Sequence, residues 1–354
     1  MFDRGCILEP SKIVRCDDAR VGGPVVRWNA DKNRWYLWYY ARSQRFAAGL
    51  APAFGTGAIA LADSEDGTQF TRVEGKGREA AIFEPASGST EADSAAFDAR
   101  HVGTGDVLHW RGAWWMAYFG GNDEAPKDCA PLYAERGYVL RIGLAVSTDG
   151  VSWNRVGAGA IAGPEGDEVY AGFPGLVDDG ERLTLHYTVV DRQGRYYRTR
   201  MLSSMDGKEW RRTPEPFFEG EPPLHETGGV ITRDIVPSPL PEVGRWWMVY
   251  TARDGRSETG ERRSIGVAVS DDLIRWRRLW REPVFTPGIR GAWDSAGVAN
   301  PRLVITEREY RLYYYGWSND SCLEHPRRGI GLAIASRDHG VEGLRMWRRV
   351  EGSL

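Results

Sequence analysis

Apolar and polar residues alternate along most of this chain in short runs, the two-residue period of strands with one buried face. Three such runs follow one another and return as a set. The middle one is aromatic: RWYLWYY from Arg34, AWWMAYF from Ala113, RLTLHYT from Arg182, RWWMVYT from Arg245 and YRLYYYG from Tyr310. A shorter apolar run precedes each, beginning near Pro24, Asp106, Pro174, Pro237 and Pro301. A run with small residues follows each: GAIALAD from Gly57, RIGLAVS from Arg141, YRTRMLSS from Tyr197, SIGVAVS from Ser264 and GIGLAIAS from Gly329. Broad rings at alternate positions fill the wedge between twisted sheets, so the aromatic stripes are expected to be core.

The third run of each set ends in a motif: SEDGTQF from Ser64, STDGVSW from Ser147, SMDGKEW from Ser204, SDDLIRW from Ser270 and a looser SRDHG from Ser336 with Trp347 after it. The serines lie 83, 57, 66 and 66 residues apart, which makes the chain an array of five similar units. The Asp-Gly pair reads as a hairpin turn that needs positive φ, and the aromatic beyond it opens a fourth strand. Four antiparallel strands repeated five times predict an all-β fold, a single five-bladed β-propeller. The blades are expected over roughly 19–80, 100–160, 170–218, 230–284 and 295–350 of one domain spanning 1–354, with innermost strands near 24–28, 106–110, 174–178, 235–238 and 301–305.

Composition narrows the function. No apolar run approaches the roughly 20 residues of a membrane helix, and MFDRGCILEP lacks the basic and apolar regions of a signal peptide, so a cytoplasmic protein without membrane contact is expected. A net charge of −3, from 46 basic and 49 acidic residues, leaves no electrostatic footprint for nucleic acid. Cys6, Cys16, Cys129 and Cys322 lack CxxC spacing and suit reduced thiols. The histidines, 101, 109, 186, 225, 325 and 339, have no pairwise metal spacing. No nucleotide loop, nucleophile elbow or zinc motif is present, so neither metal nor cofactor is expected.

Between blades a second repeat occurs: ILEPS at Ile7, IFEPA at Ile82, AIAGP at Ala160, PFFEG at Pro216 and PVFTP at Pro283. An acid often follows it, Asp17, Asp98, Asp167 and Asp294, and repetition marks these four as structural turn caps. Blade 5 already has four strands of its own, so closure is expected from face packing and not from an N-terminal strand.

The five-fold strand order, S-x-D-G-x-x-W and the stretch PVFTPGIRGAWDSAGVANPRLV from Pro283 resemble the five-bladed propeller glycosidases: the arabinanase, levansucrase and invertase group, with the β-mannoside phosphorylases. The resemblance covers roughly residues 7 to 350. It implies carboxylates where the innermost strands enter the central funnel, an Asp followed by Pro and a Glu from another blade, as proton donor and as nucleophile or base. Aligned on its own repeat, this chain has Gly23, Thr104, Phe173, Val236 and Asn300 at the Asp position. None is a carboxylate, and only Asn300-Pro301 echoes the pattern.

A different polar set stands before the innermost strands. Asp106, Asp234 and Asp18 are the candidate catalytic carboxylates, because convergent acids with basic neighbours perturb one another's pKa. Arg20, His101, Glu168, Tyr170, Arg233, Trp293, Asn300 and Arg302 are the candidate substrate contacts, the arginines suiting an anionic group. The leading reading is an enzyme acting on a glycoside or sugar-like small molecule by hydrolysis or phosphorolysis. A propeller that binds a ligand or protein without turnover, and a cyclase or isomerase on the same scaffold, are the alternatives.

Overall fold

The computed structural model describes residues 5–44, 57–86, 96–129, 138–194, 196–255, 263–319 and 327–350. Cys322 and His325 lie outside them. The strands form five blades of four antiparallel strands, a five-bladed β-propeller, as the repeat predicts. Two compact units divide the chain: residues 10–213 hold blades 1 to 3, and residues 1–9 with 214–354 hold blades 4 and 5.

Blade 1 runs through Arg20–Asn29, Arg34–Arg42, Ala58–Ser64 and Thr71–Arg72, and blade 2 through His101–Trp110, Ala113–Gly121, Arg141–Ser147 and Asn154–Arg155. Blade 3 comprises Glu168–Asp178, Leu183–Asp191, Tyr197–Ser204 and Arg211–Arg212. Blade 4 is Val230–Pro237, Trp246–Arg253, Arg263–Ser270 and Arg275–Arg278; blade 5 is Gly297–Ile305, Glu309–Trp317, Arg328–Ser336 and Arg348–Arg349. Every first strand begins earlier than its apolar run. The reason is a register irregularity, at Gly22/Val25, Thr104/Asp106, Gly172/Gly175, Val230/Thr232 and Ala299/Arg302, which interrupts the alternation that marks a strand.

The aromatic stripes do pack blade on blade. Trp38 of blade 1 lies 5.3 Å from Trp114 of blade 2, and Trp247 of blade 4 lies 5.8 Å from Tyr310 of blade 5. Each such ring, buried, contributes about 1.5–3 kcal/mol. Small residues on third strands have a matching cause: a Cβ on Gly143, Gly266 or Gly331 would stand 2.5, 2.3 or 2.4 Å from the ring of Tyr118, Tyr250 or Tyr314 on the neighbouring strand.

The N-terminus departs from expectation. Cys6–Leu8 joins the blade 5 sheet antiparallel to its third strand, with Cys6 opposite Gly331 and Leu8 opposite Ile330. ILEPS thereby does in blade 5 what the repeat does after blades 1, 2 and 4, where Phe83 bridges Ile59, Ala162 bridges Ile142 and Phe285 bridges Ile265. It is the last piece of blade 5 carried at the start of the chain. Phe217–Phe218 of PFFEG instead pairs with the fourth strand of blade 4.

The S-x-D-G turn is also more than a two-residue hairpin. Ser64 Oγ accepts from Gly67 N–H at 2.9 Å, and Asp66 Oδ1 accepts from Thr68 and Gln69 N–H at 2.7 and 3.0 Å, so two side chains close the loop. The same bonds recur around Ser147, Ser204 and Ser270. Gly67, Gly150 and Gly207 have φ of 75, 76 and 76°, and in blade 4 Leu273 takes the left-handed place at 65°. A Cβ on Gly207 would sit 2.3 Å from Trp115, but on Gly150 it would sit 3.1 Å from Trp38. Gly150→Ala is therefore expected to cost about 1–3 kcal/mol from backbone strain alone, and Gly207→Ala clearly more. Thermal melts of the two variants check this; equal shifts would mean that Trp115 yields freely.

Burial raises the Asp272 pKa, but the N–H groups of Arg275 and Ile274 outweigh it and bring it to about 2. Asp66, Asp149 and Asp206 are lowered by the same kind of bonds. A carboxylate with a depressed folded pKa stabilises above its unfolded value of about 4 and loses that contribution as pH falls through the folded value. Melting temperature is thus expected to fall between about pH 4 and pH 2, and less steeply in Asp272→Asn; an unchanged slope in that variant would count against the turn's role.

Candidate functional site

The chemistry of each blade concentrates at its leading end, where the first strand begins and the second strand ends. Much of it proves to be architecture. The second strand of every blade carries a tyrosine at one register position: Tyr39, Tyr118, Tyr187, Tyr250 and Tyr314. Tyr39 donates to Asp17 Oδ2 at 2.8 Å, Tyr118 to Asp98 Oδ2 at 2.9 Å, Tyr314 to Asp294 Oδ2 at 3.0 Å, and Tyr250 to Glu226. An arginine of the fourth strand closes each pair, Arg72, Arg155, Arg349 and Arg278, at 2.7 to 2.8 Å. The guanidinium of Arg155, Arg278 and Arg349 lies 4.4 Å above Phe83, Phe218 and Phe285, rings of the segment between blades. Burial, with the adjacent carboxylate, drives the Tyr39, Tyr250 and Tyr314 hydroxyls well above their ordinary pKa and keeps them proton donors.

The repeated acids are therefore clasps and not turn caps. Asp167 is not one of them: it is exposed, and in blade 3 Arg212 reaches Glu165 at 2.5 Å instead. Glu226, which carries the clasp in blade 4, stands in a 3₁₀ turn, Leu224–Glu226.

Asp106 and Asp234 occupy equivalent positions, opposite Ala117 and Val249, each one residue before the clasped tyrosine. Both are 1% exposed. Asp106 Oδ1 accepts from Arg27 Nη2 at 3.0 Å and from Val107 N–H at 2.8 Å; Oδ2 accepts from Leu176 N–H of blade 3 at 3.0 Å. Asp234 Oδ1 accepts from Arg302 at 3.1 Å, and Oδ2 from Leu303 N–H of blade 5 at 2.8 Å. Both staple a first strand to the next blade through a backbone amide, while the arginine comes from the preceding blade for Asp106 and from the following blade for Asp234.

The register also relocates one aligned position. In blade 4 the residue two before the staple is Thr232, not Val236, which packs against the blade 4 and 5 core. The aligned set is Gly23, Thr104, Phe173, Thr232 and Asn300, still without a carboxylate. Gly23, Phe173 and Asn300, each before a proline, share φ of 51, 51 and 52°, a left-handed kink. Asn300 N–H donates to Thr251 Oγ1 at 3.0 Å, which shares a bond of 2.7 Å with Thr232.

In the unit of blades 1 to 3, the leading ends bring aromatic rings together. His101, fully buried, lies 5.8 Å from Tyr40, 5.7 Å from Phe119 and 6.0 Å from Tyr138. Phe119 continues to Phe173 at 5.3 Å, and Phe173 to Tyr170 at 6.5 Å. Tyr40 and Phe173 are half-buried. Asp18 stands two residues before the first strand of blade 1. It is half-buried, and its Oδ1 accepts from Gln44 N–H at 2.8 Å; among the described residues no guanidinium pairs with it. Arg20 opens the first strand opposite Arg42. Glu168 is buried and held by Arg200, whose Nε and Nη2 stand 3.0 and 2.6 Å from its Oε1.

In the unit of blades 4 and 5, Arg233 is buried, its Nη2 donating to Val230 O at 3.3 Å, and burial pushes its pKa down to about 9. Trp293 stacks on Tyr314 at 5.7 Å as part of the core. Arg302 is committed to Asp234. Phe173 was named only as an aligned position, and Tyr40 and Phe119 were not singled out from sequence. The signal for those two is the position after the invariant tyrosine, which reads Tyr40, Phe119, Thr188, Thr251 and Tyr315 and varies where its neighbour does not. Among the described residues no three His, Cys, Asp or Glu side chains are grouped to hold a metal ion. Cys6, Cys16 and Cys129 are free thiols.

No family model matches the chain, and no curated protein does. Solved structures match its fold. An N-acetylgalactosamine deacetylase from F. plautii, in complex with blood group B trisaccharide, is 18% identical over 97% of this chain and 96% of that one, with a TM-score of 0.65. A glycosyl hydrolase from Bacteroides ovatus is 14% identical over 94% and 93%, with a TM-score of 0.62. A structure from the mannoside phosphorylase family, which contains glycoside hydrolases that target β-1,2 mannosidic linkages in Candida mannan, is 14% identical over 94% and 95%, at 0.60. At these identities the likeness is one of fold, the five-bladed propeller of such glycosidases.

Proposed function

We propose that this propeller acts on a glycoside or other sugar-like small molecule at the leading ends of blades 1 to 3, by hydrolysis or phosphorolysis. The observation that carries this reading is the run of ring contacts there, from Tyr40 through His101 and Phe119 to Phe173. The first strand of that unit is preceded by the half-buried carboxylate of Asp18, without an ion pair among the described residues. Aromatic walls with a few convergent polar groups are the composition of a small-molecule site. The rings stack against the apolar face of a sugar. Asp18 supplies the proton that the leaving oxygen needs. Hydrolysis takes a second carboxylate to activate water or attack the sugar, whereas in phosphorolysis inorganic phosphate is itself the nucleophile. The fold likeness to carbohydrate-acting proteins supports the substrate class.

Binding without turnover is the second reading. It is favoured by the commitment of Asp106, Asp234 and Glu168 to hydrogen bonds and ion pairs of the blades. A thermal-shift screen of neutral sugars, sugar phosphates and aryl glycosides, followed by product analysis with and without phosphate, separates the two. The expected result is a saturable rise in melting temperature with a sugar, lost in Phe173→Ala, and a released product. A rise without product supports the second reading; no response to any sugar contradicts both.

A further inference from the structure

Blade 5 breaks the repeat at one place. In blades 1 to 4 the fourth strand starts at Thr71, Asn154, Arg211 and Arg275, directly after the S-x-D-G turn. In blade 5 it starts at Arg348, and the residues between, Arg337–Arg345, form 3₁₀ turns with a left-handed Gly340 at φ 55°. The longer connection is anchored, since Leu344 is fully buried in the core of blades 4 and 5. It is thus a built element, and departures from an internal rule tend to mark function.

Between this element, the third strand and the hairpin before Glu309 lies a cleft of about 660 Å³. That is the size of a small-molecule site. Ile334, Ala335 and Met346 give it an apolar wall, with Met346 57% exposed. Arg308, Arg348 and His339 stand exposed at its rim. Of the lining acids, Glu309 is taken by Arg311 at 3.3 Å, which leaves Asp338. Among the described residues neither Arg308 nor Arg348 forms an ion pair. Two uncommitted guanidinium groups beside an apolar wall suit one kind of ligand.

We infer that this cleft binds a small organic anion, a phosphate monoester or carboxylate carrying an apolar group. The charge meets Arg308 and Arg348, whose fork geometry matches oxyanions, while the apolar body covers Ile334 and Met346. The site lies wholly within blade 5 and does not depend on the sugar reading.

The test is a titration of the full chain, labelled with ¹³C-methyl methionine, using phenyl phosphate, benzoate and neutral phenol as probes. Met346 should shift saturably with an anion, while Met205, 59% exposed elsewhere, stays still. Phenol should bind at least about tenfold more weakly, and Arg308→Glu with Arg348→Glu should weaken the anion by a similar factor. A response to phenyl phosphate alone identifies a phosphate ester as the ligand class, and to benzoate alone a carboxylate. Equal binding of phenol, equal binding by the charge-reversed variant, or movement of both methionines alike would overturn the inference.

Discussion

Asp106→Asn loses about 3–5 kcal/mol of stability, because it breaks a buried ion pair and leaves one partner uncompensated. The Asp106 side chain is 2% exposed and takes the Arg27 guanidinium on one oxygen and Leu176 N–H on the other. An amide of the same shape has one acceptor for these donors and brings N–H groups of its own. Arg27 then keeps the carbonyls of Val26 and Val107 but loses the Asp106 carboxylate. Asp234→Asn should behave alike, since Asp234 holds Leu303 N–H as Asp106 holds Leu176 N–H and has an arginine of its own, Arg302 of the following blade. Urea denaturation reads the effect as a lower midpoint with an unchanged slope. A variant with unaltered stability but lost turnover would make Asp106 a catalytic group and not a staple.

The second large effect is expected at a clasp. Asp294→Ala removes the acceptor of both the Tyr314 hydroxyl and Arg349 Nε, buried donors that then pay their desolvation, about 3–5 kcal/mol together. The consequence should reach the N-terminus. A Cβ on Gly5 would lie 3.0 Å from Tyr314 Oη and 3.1 Å from Arg349, so the clasp abuts the strand that completes blade 5. Gly5 N–H donates to Val350 O, and Leu332 N–H to Gly5 O, both at 2.7 Å. Hydrogen exchange at Gly5 and Leu332 should accelerate in the variant beyond what Tyr314→Phe causes. Protection that survives intact would separate the clasp from the N-terminal strand.

Fold and site were legible to different depths. The five blades follow from S-x-D-G and the aromatic stripe because their signals are local: side-chain bonds to neighbouring amides, and a period of two. ILEPS was visible as a repeat, yet its pairing with Ile330 and Gly331 spans almost the whole chain, and no local signal encodes such a partner. Asp17, Asp98 and Asp294 stood out by recurrence, while their role needed Tyr, Arg and Phe from three other segments. In blade 3 the arginine's acid is Glu165 rather than Asp167, a shift that spacing alone conceals. Val236 was aligned where Thr232 belongs because blade 4 has no proline at the kink to mark it. The rings of Tyr40, Phe119 and Phe173 gather through the register irregularities of two first strands, which alternation cannot reveal.

Asp18 separates chemistry from architecture. Its single described side-chain bond, to Gln44 N–H, can be kept by an amide oxygen, so Asp18→Asn should melt close to the parent chain. The most direct measurement is the turnover of this variant, with and without phosphate, on the sugar that stabilises the protein in the thermal-shift screen. A fall in kcat of about 10² or more, with KM and melting temperature little changed, is the predicted result. Full turnover by Asp18→Asn would contradict the assignment of a sugar-acting site to the leading ends of blades 1 to 3.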